Sequence, residues 1–228
     1  MKKQYILSFI LCLAAAQLAM AQGGSLNIAP GAGTYYSIGT KEGTKGTRYL
    51  FDTWVKGSVT DGKGGVIKND SYSFNYDKVD GGLLLTQDKQ TAIMLGKDQV
   101  KGFTVYDNTG QALTFEYVPA IDATHYVQVL SAGSNYKVYK FTKTKFEKAN
   151  FKSDGMTSSG NKYDEYVDAP GYYVFNVKTA SLQMVALKSK AIKQVFSADA
   201  DKVKAFFDAH KDDDINEDFL KGLGEALN

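Results

Sequence analysis

The chain has 228 residues, with 27 basic side chains against 25 acidic ones, a single cysteine, three prolines and 22 glycines. So even a balance gives no overall field to gather nucleic acid or anionic lipid, and Arg48, the one arginine, is too little guanidinium for phosphate recognition. One cysteine also excludes an intrachain disulfide and a multi-cysteine metal site.

The first 21 residues read as a cleaved secretory signal. Lys2 and Lys3 form a positive head, residues 6–16 an apolar core, and Ala19-Met20-Ala21 a small-x-small cleavage site, so the mature chain is expected to begin at Gln22. The apolar run of about ten residues is too short for a bilayer span, which needs roughly 20. Cys12 leaves with the signal, removing any thiolate nucleophile or thioether lipid anchor. Lys2 and Lys3 leave too, so 27 basic residues become 25, equal to the 25 acids. Taking 21 from 228 leaves 207 residues, enough for one large all-β domain, which the many tyrosines, phenylalanines and glycines favour.

Residues 22–46, rich in glycine, serine and threonine, are expected to form a flexible leader. A β-meander domain is expected over 47–187 and a helical cap over 188–228. The predicted strands are 48–59, 66–76, 82–87, 91–95, 100–107, 111–118, 125–131, 135–142 and 144–150. Asp61-Gly62, Asp80-Gly81, Asn108-Thr109-Gly110 and Gly133-Ser134-Asn135 supply turns whose residues tolerate positive φ. Short connections imply antiparallel neighbours and hence a meander. Alternation is clearest at Tyr72, Phe74 and Tyr76, with Ser71, Ser73 and Asn75 on the opposite face. Elsewhere, as at Val138, Tyr139, Lys140 and Phe141, it is mixed, which implies a sheet whose second face is partly covered.

A loop over 151–162 leads to strands at 163–168 and 172–177, with a turn at Ala169-Pro170-Gly171, and a further strand at 181–187. After Lys188 the period changes to 3.6. Phe196, Val203, Phe207 and His210 form one helical stripe; Ile215, Phe219, Leu223 and Leu227 form another, opened by Asp214 as N-cap with Glu217 three residues on.

Candidate chemistry is sparse. His125 lies at a strand start with no ligand spacing, and His210 at a helix C-terminus where the dipole welcomes positive charge, so both read as structural. The acids Asp212, Asp213, Asp214, Glu217 and Asp218 lack the glycine and glutamate spacing of a calcium loop and read as helix capping. The glycines of residues 61–65 lack phosphate-loop spacing and read as a turn. Trp54, the only tryptophan, reads as a buried anchor of the first strand. On one strand Asp164, Tyr166 and Asp168 share a face, with Tyr163 beside them. These four are the candidate ligand or partner contacts, open to a glycan or calcium, or to paired-carboxylate hydrolysis with a second acid; a solvated edge strand is the structural alternative. No metal site and no cofactor is indicated.

The run Arg48-Tyr49-Leu50-Phe51-Asp52-Thr53-Trp54-Val55-Lys56-Gly57-Ser58-Val59, then Phe74-Asn75-Tyr76-Asp77 before Leu83-Leu84-Leu85, resembles uncharacterised exported proteins of Bacteroidota. The C-terminal pattern, a lysine-rich helix and an acidic turn into a helix ending Leu227-Asn228, is similar to theirs too. The resemblance extends over most of residues 46–228, carries no catalytic residue, and implies a Gram-negative envelope setting. The expected fold is mainly β: an antiparallel meander curved into a sheet or partly open barrel, with two or three short C-terminal helices. The expected function is a non-catalytic binding module in the periplasm or outside the cell, whose partner is an envelope protein or a small ligand. A barrel binding an apolar or aromatic small molecule is the alternative, a hydrolase the next. Nucleic-acid binding and an integral membrane span are not expected.

Overall fold

The computed structural model describes Leu26, residues 34–36, 38–39 and 41–228. The expected signal and its cleavage site before Gln22 lie outside these residues. In chain order the strands are β1 (Thr34–Tyr35), β2 (Thr44–Lys45), β3 (Gly57–Asp61), β4 (Val66–Lys68), β5 (Ser73–Asp77) and β6 (Gly82–Thr86). Next come β7 (Thr91–Leu95), β8 (Val100–Tyr106), β9 (Ala112–Glu116), β10 (Val127–Ala132) and β11 (Tyr136–Glu147). A small hairpin β12 (Lys152–Ser153) and β13 (Ser158–Ser159) precedes β14 (Asp164–Asn176) and β15 (Ser181–Val185). Helices α1 (Ser189–Val195), α2 (Ala200–Ala209) and α3 (Glu217–Ala226) follow.

The long sheet runs β15-β14-β11-β10-β9-β8-β3-β4, so most of it is the antiparallel meander that short loops dictate. The meander is broken once. After β4 the chain leaves to build a second sheet, β1-β7-β6-β5, and returns at β8 beside β3. Two short strands lie within the segment expected to be a flexible leader: β1 pairs with β7, and β2 runs parallel to β14.

Segment 48–56 is not the first strand. It follows β5 as an irregular partner, bridging Tyr49 to Asp77 and Val55 to Phe74, and bulges between those points. Asn75, on the face of β5 expected to be solvated, is fully buried under the bulge. Its amide donates to the carbonyls of Phe51 at 2.8 Å and Thr53 at 3.2 Å and accepts from Phe51 N at 3.2 Å. Its neighbours on that face are covered as well: Ser73 receives Lys56 Nζ at 3.2 Å, and Asp77 pairs with Arg48 at 2.6 Å. The bulge also displaces Trp54. Val55 takes the buried position, and Trp54 is only half-buried, so it is not the expected core anchor.

Three further boundaries differ from expectation. The expected strand 66–76 splits into β4 and β5, which belong to different sheets, Tyr136–Glu147 forms one strand where 135–142 and 144–150 were expected, and β14 passes straight through Ala169-Pro170-Gly171, where a turn was expected. Pro170 is tolerated because β14 is an edge there: β15 pairs only from Tyr172 and β2 only at Asp164 and Glu165, leaving no partner that needs the missing N–H. The last helix is capped by Asn216, whose side chain accepts from Phe219 N at 3.0 Å, and not by Asp214.

The two apolar clusters cover adjacent parts of the same face of the long sheet. In one, Phe74, Tyr76, Leu83 and Leu85 of the small sheet meet Val59, Phe103, Val105 and Phe115. In the other, Ile192, Val203, Leu220 and Leu223 of the helices meet Tyr136, Val138, Val174 and Val185. Gly224 lets α3 approach closely: a Cβ there would press on Val138 and on the hydroxyl of Ser131, at the bulge of β10.

Candidate functional site

One row of paired residues crosses the whole long sheet: Val185, Tyr172, Lys140, Gln128, Phe115, Phe103, Val59 and Ile67, from β15 to β4. Directly paired residues project to the same side, so all eight side chains face the covered surface. The apolar ends of the row sit under the helices and under the small sheet. Lys140 and Gln128 interrupt it at the seam between the two covers, where only the polar start of α3, at Glu217, reaches Lys140.

A cleft of about 220 Å³ opens over this seam. Leu50, Tyr76, Phe115 and Tyr126 form its apolar wall, and Lys78, Gln128, Lys140, Thr142 and Asp168 its polar side. The tyrosine hydroxyls are engaged inside the protein. Tyr76 Oη accepts from Tyr126 N at 3.1 Å, and Tyr126 Oη donates to Val100 O at 3.0 Å, so both rings present carbon to the cleft. Burial pushes both phenols well above their ordinary range.

The charges on the polar side cancel in pairs. Lys78 meets Asp168 at 2.7 Å, and Thr144 Oγ1 donates to the same carboxylate at 2.6 Å. Lys140 meets Glu217, the first residue of α3, at 2.7 Å, and Tyr172 Oη donates to Glu217 at 2.9 Å. Burial and then that carboxylate push the Tyr172 phenol up to about 12. Among the described residues, the Gln128 amide and the Thr142 hydroxyl have no hydrogen-bond partner. Both are free to bond a guest.

The four residues singled out from the sequence are separated by the fold. Asp168 lines the cleft. Tyr166 lies on the same face farther along β14, packing on Phe146 and lining a second depression with Arg48 and Tyr49. Asp164 accepts from Ala149 N at 2.9 Å beside β2, and Tyr163 is exposed, with Lys45 Nζ 5.2 Å from its ring centre. At about 3.3 Å per residue, Asp164 and Asp168 stand roughly 13 Å apart, too far for the paired carboxylates of a glycosidase. The segment is an edge only in part: Asp164 and Glu165 pair with β2, and the outer side of β14 is open from Tyr166 to Gly171. Lys78, Gln128, Lys140 and Thr142 carried no local signal. The mixed alternation around Lys140 was the one trace, a charge where the neighbouring strand positions are core.

The remaining candidates have structural roles. Nδ1 of His125 lies 2.8 Å from both Asp122 Oδ1 and Thr124 Oγ1, and Nε2 lies 3.2 Å from Val79 O, so both nitrogens are engaged within the local turn. Gly81, at φ +68°, packs against the His125 ring with no room for a Cβ. His210 caps α2, stacks on Phe206 and meets Asp213 at 2.8 Å. The glycines of residues 61–65 form the β3–β4 turn, in which Asp61 Oδ1 accepts from Lys63 N and Gly65 N at 2.8 Å. Among the described residues, no group of three His, Cys, Asp or Glu is placed to hold a metal, and no helix is long and apolar enough to cross a membrane. No family model, curated protein or solved structure matches this chain.

Proposed function

We propose that the protein is a non-catalytic binding module, exported by its N-terminal signal, and that the seam cleft holds a small, uncharged, polyhydroxylated ring such as one sugar unit. The supporting observation is the pairing of a carbon-faced aromatic wall with a free amide and a free hydroxyl, at Gln128 and Thr142, beside ion pairs whose charges cancel. A sugar ring offers that same combination, an apolar face and a rim of hydroxyls. The cleft volume of about 220 Å³ suits one ring and falls below the roughly 300–1,000 Å³ of drug-sized sites. A hydrolytic reading has less support, because both nitrogens of His125 are engaged and the carboxylates of β14 are far apart.

The test is calorimetry and ligand-observed NMR with a panel of neutral and charged monosaccharides. The expected result is binding of neutral members, weakened at least tenfold by Gln128→Leu, with the fold unchanged by circular dichroism. Silence across the panel, or binding indifferent to Gln128→Leu and Thr142→Val, overturns the assignment of the cleft. Export is tested separately by the intact mass of protein from the envelope fraction: a chain beginning at Gln22 is expected, and a retained Met1 refutes it.

A further inference from the structure

The covered face of β11 and β14 continues past the seam. Lys140–Tyr172, Thr142–Pro170, Thr144–Asp168 and Phe146–Tyr166 are successive alternate pairs, so their side chains form one track leading outward from the cleft. The segment from Gly46 to Leu50 stands along the side of this track and is tied to the end of β5: Leu50 N donates to Tyr76 O at 2.9 Å, and Lys78 N donates to Arg48 O at 2.8 Å. Leu50 and Asp168 line the cleft, whereas Arg48, Tyr49 and Tyr166 line the second depression, of about 330 Å³. Both hollows therefore lie between the same two walls and are neighbouring stations of one groove. Thr142 and Phe146 stand four residues apart on β11, so the stations at their rows are separated by roughly 13 Å, the span of about three sugar rings.

The second station repeats the chemistry of the first. Tyr49 and Tyr166 supply aromatic rings, and Tyr166 packs on Phe146 with 5.0 Å between ring centres. Its cations, Lys41 and Arg48, are matched by two acids, Asp77 at 2.6 Å from Arg48 and Asp80, also paired with Arg48. The tyrosine hydroxyls of the cleft are engaged inside the protein, but among the described residues those of Tyr49 and Tyr166 have no hydrogen-bond partner and can bond a guest. Between the stations Lys78 reaches across to Asp168, whose side chain is 44% exposed and so keeps a carboxylate edge open to a hydroxyl. The outer wall is held in place by β2, which pairs Thr44 with Asp164 and Lys45 with Glu165, and Gly46 then passes so near Tyr166 O that a Cβ would stand 3.0 Å from it.

We infer that the groove holds a neutral oligosaccharide, one end in the seam cleft and the other against Tyr49 and Tyr166. The inference rests on the reading of the cleft as a sugar site and extends it from a single ring to a chain. Two features favour a glycan. An extended peptide is held by main-chain pairing at a sheet edge, whereas the floor of this groove is the face of a sheet, made of rings, hydroxyls and one ion pair. A charged polymer would have to break into pairs that are already matched, Lys78 with Asp168 and Arg48 with Asp77.

The experiment is isothermal titration of the full chain with β-1,4-linked glucose, mannose and N-acetylglucosamine, each from the monosaccharide to the pentasaccharide. Joining two subsites through one ligand multiplies their contributions, so affinity is expected to rise at least about tenfold from monosaccharide to trisaccharide and then to level off. Tyr166→Ala is expected to bring the trisaccharide down to the affinity of the monosaccharide, with the fold unchanged by circular dichroism, and Tyr166→Phe to keep most of the gain. Gln128→Leu weakens every member of the series. Oligomer binding that depends on both Gln128 and Tyr166 supports the inference even where a single ring is too weak to register. A monosaccharide bound through Gln128 with no gain on lengthening overturns the groove and leaves the cleft reading standing, and a gain that survives Tyr166→Ala overturns the groove as well. Silence of monosaccharides and oligomers alike removes both.

Discussion

Replacing Asn75 by alanine tests the account of the segment that separates the small sheet from solvent. The side chain is fully buried and makes three hydrogen bonds to the bulge, with Phe51 N, Phe51 O and Thr53 O. Removing it leaves three backbone groups without partners, each costing about 1–3 kcal/mol when water cannot replace the bond. Thr53 is exposed and Phe51 half-buried, so water recovers part of the loss and the expected total is about 3–5 kcal/mol. With a urea slope near 2 kcal/mol/M, the unfolding midpoint falls by roughly 2 M. Trp54 lies in the same bulge and is the only tryptophan, so its emission reports local loosening separately from global unfolding. The expected native-state signal is a red shift, with Thr53→Ala as a control that moves neither quantity. A midpoint within about 1 kcal/mol of the parent together with unchanged Trp54 emission would refute the claim that Asn75 holds the bulge.

Gly224→Val is expected to lower stability by about 1–3 kcal/mol, because the added carbons meet Val138 and Ser131 at a close helix–sheet contact; a thermal midpoint equal to the parent's counts against that packing. Phe103→Ala is expected to cost about 3–5 kcal/mol, since the ring is buried and stacked on Phe115 at 4.7 Å; denaturant unfolding measures it, and a loss under 1 kcal/mol contradicts the assigned core. Burial raises the Asp122 carboxyl, but hydrogen bonds from His125 and Thr124 outweigh it and hold the pKa down to about 2, from an ordinary 3.8. A depressed folded pKa means this contribution is present above pH 3.8 and lost as pH falls toward 2; acid titration of Asp122→Asn is expected to lose that component, and an unchanged profile removes it.

Strand positions were legible wherever alternation and turn chemistry agreed locally. β6, β7, β8 and β9 fall within a residue or two of expectation because Asp80-Gly81 and Asn108-Thr109-Gly110 terminate them by their own conformational preference. The C-terminal helices were legible because a 3.6-residue stripe such as Phe219, Leu223 and Leu227 has few other uses. Of the four residues singled out on this segment Asp168 alone lines the cleft, and Tyr163, Asp164 and Tyr166 are not brought there with it, since neighbours along a strand diverge by about 7 Å with every second residue.

The sequence alone determined the mainly β class, the antiparallel order of most neighbours and the helical close of the chain, because propensity, period and turn residues act over a few positions. Only the tertiary structure decided that Ser73, Asn75 and Asp77 are buried polar groups, because their partners stand 17 to 29 residues away in the segment from Arg48 to Lys56. It also decided the second sheet and the seam. Whether Lys140 and Gln128 lie in a core or open onto a cleft depends on where two separate covering layers stop, and the reach of those layers is set by the packing of β5–β7 and α1–α3, not by any residue at the seam.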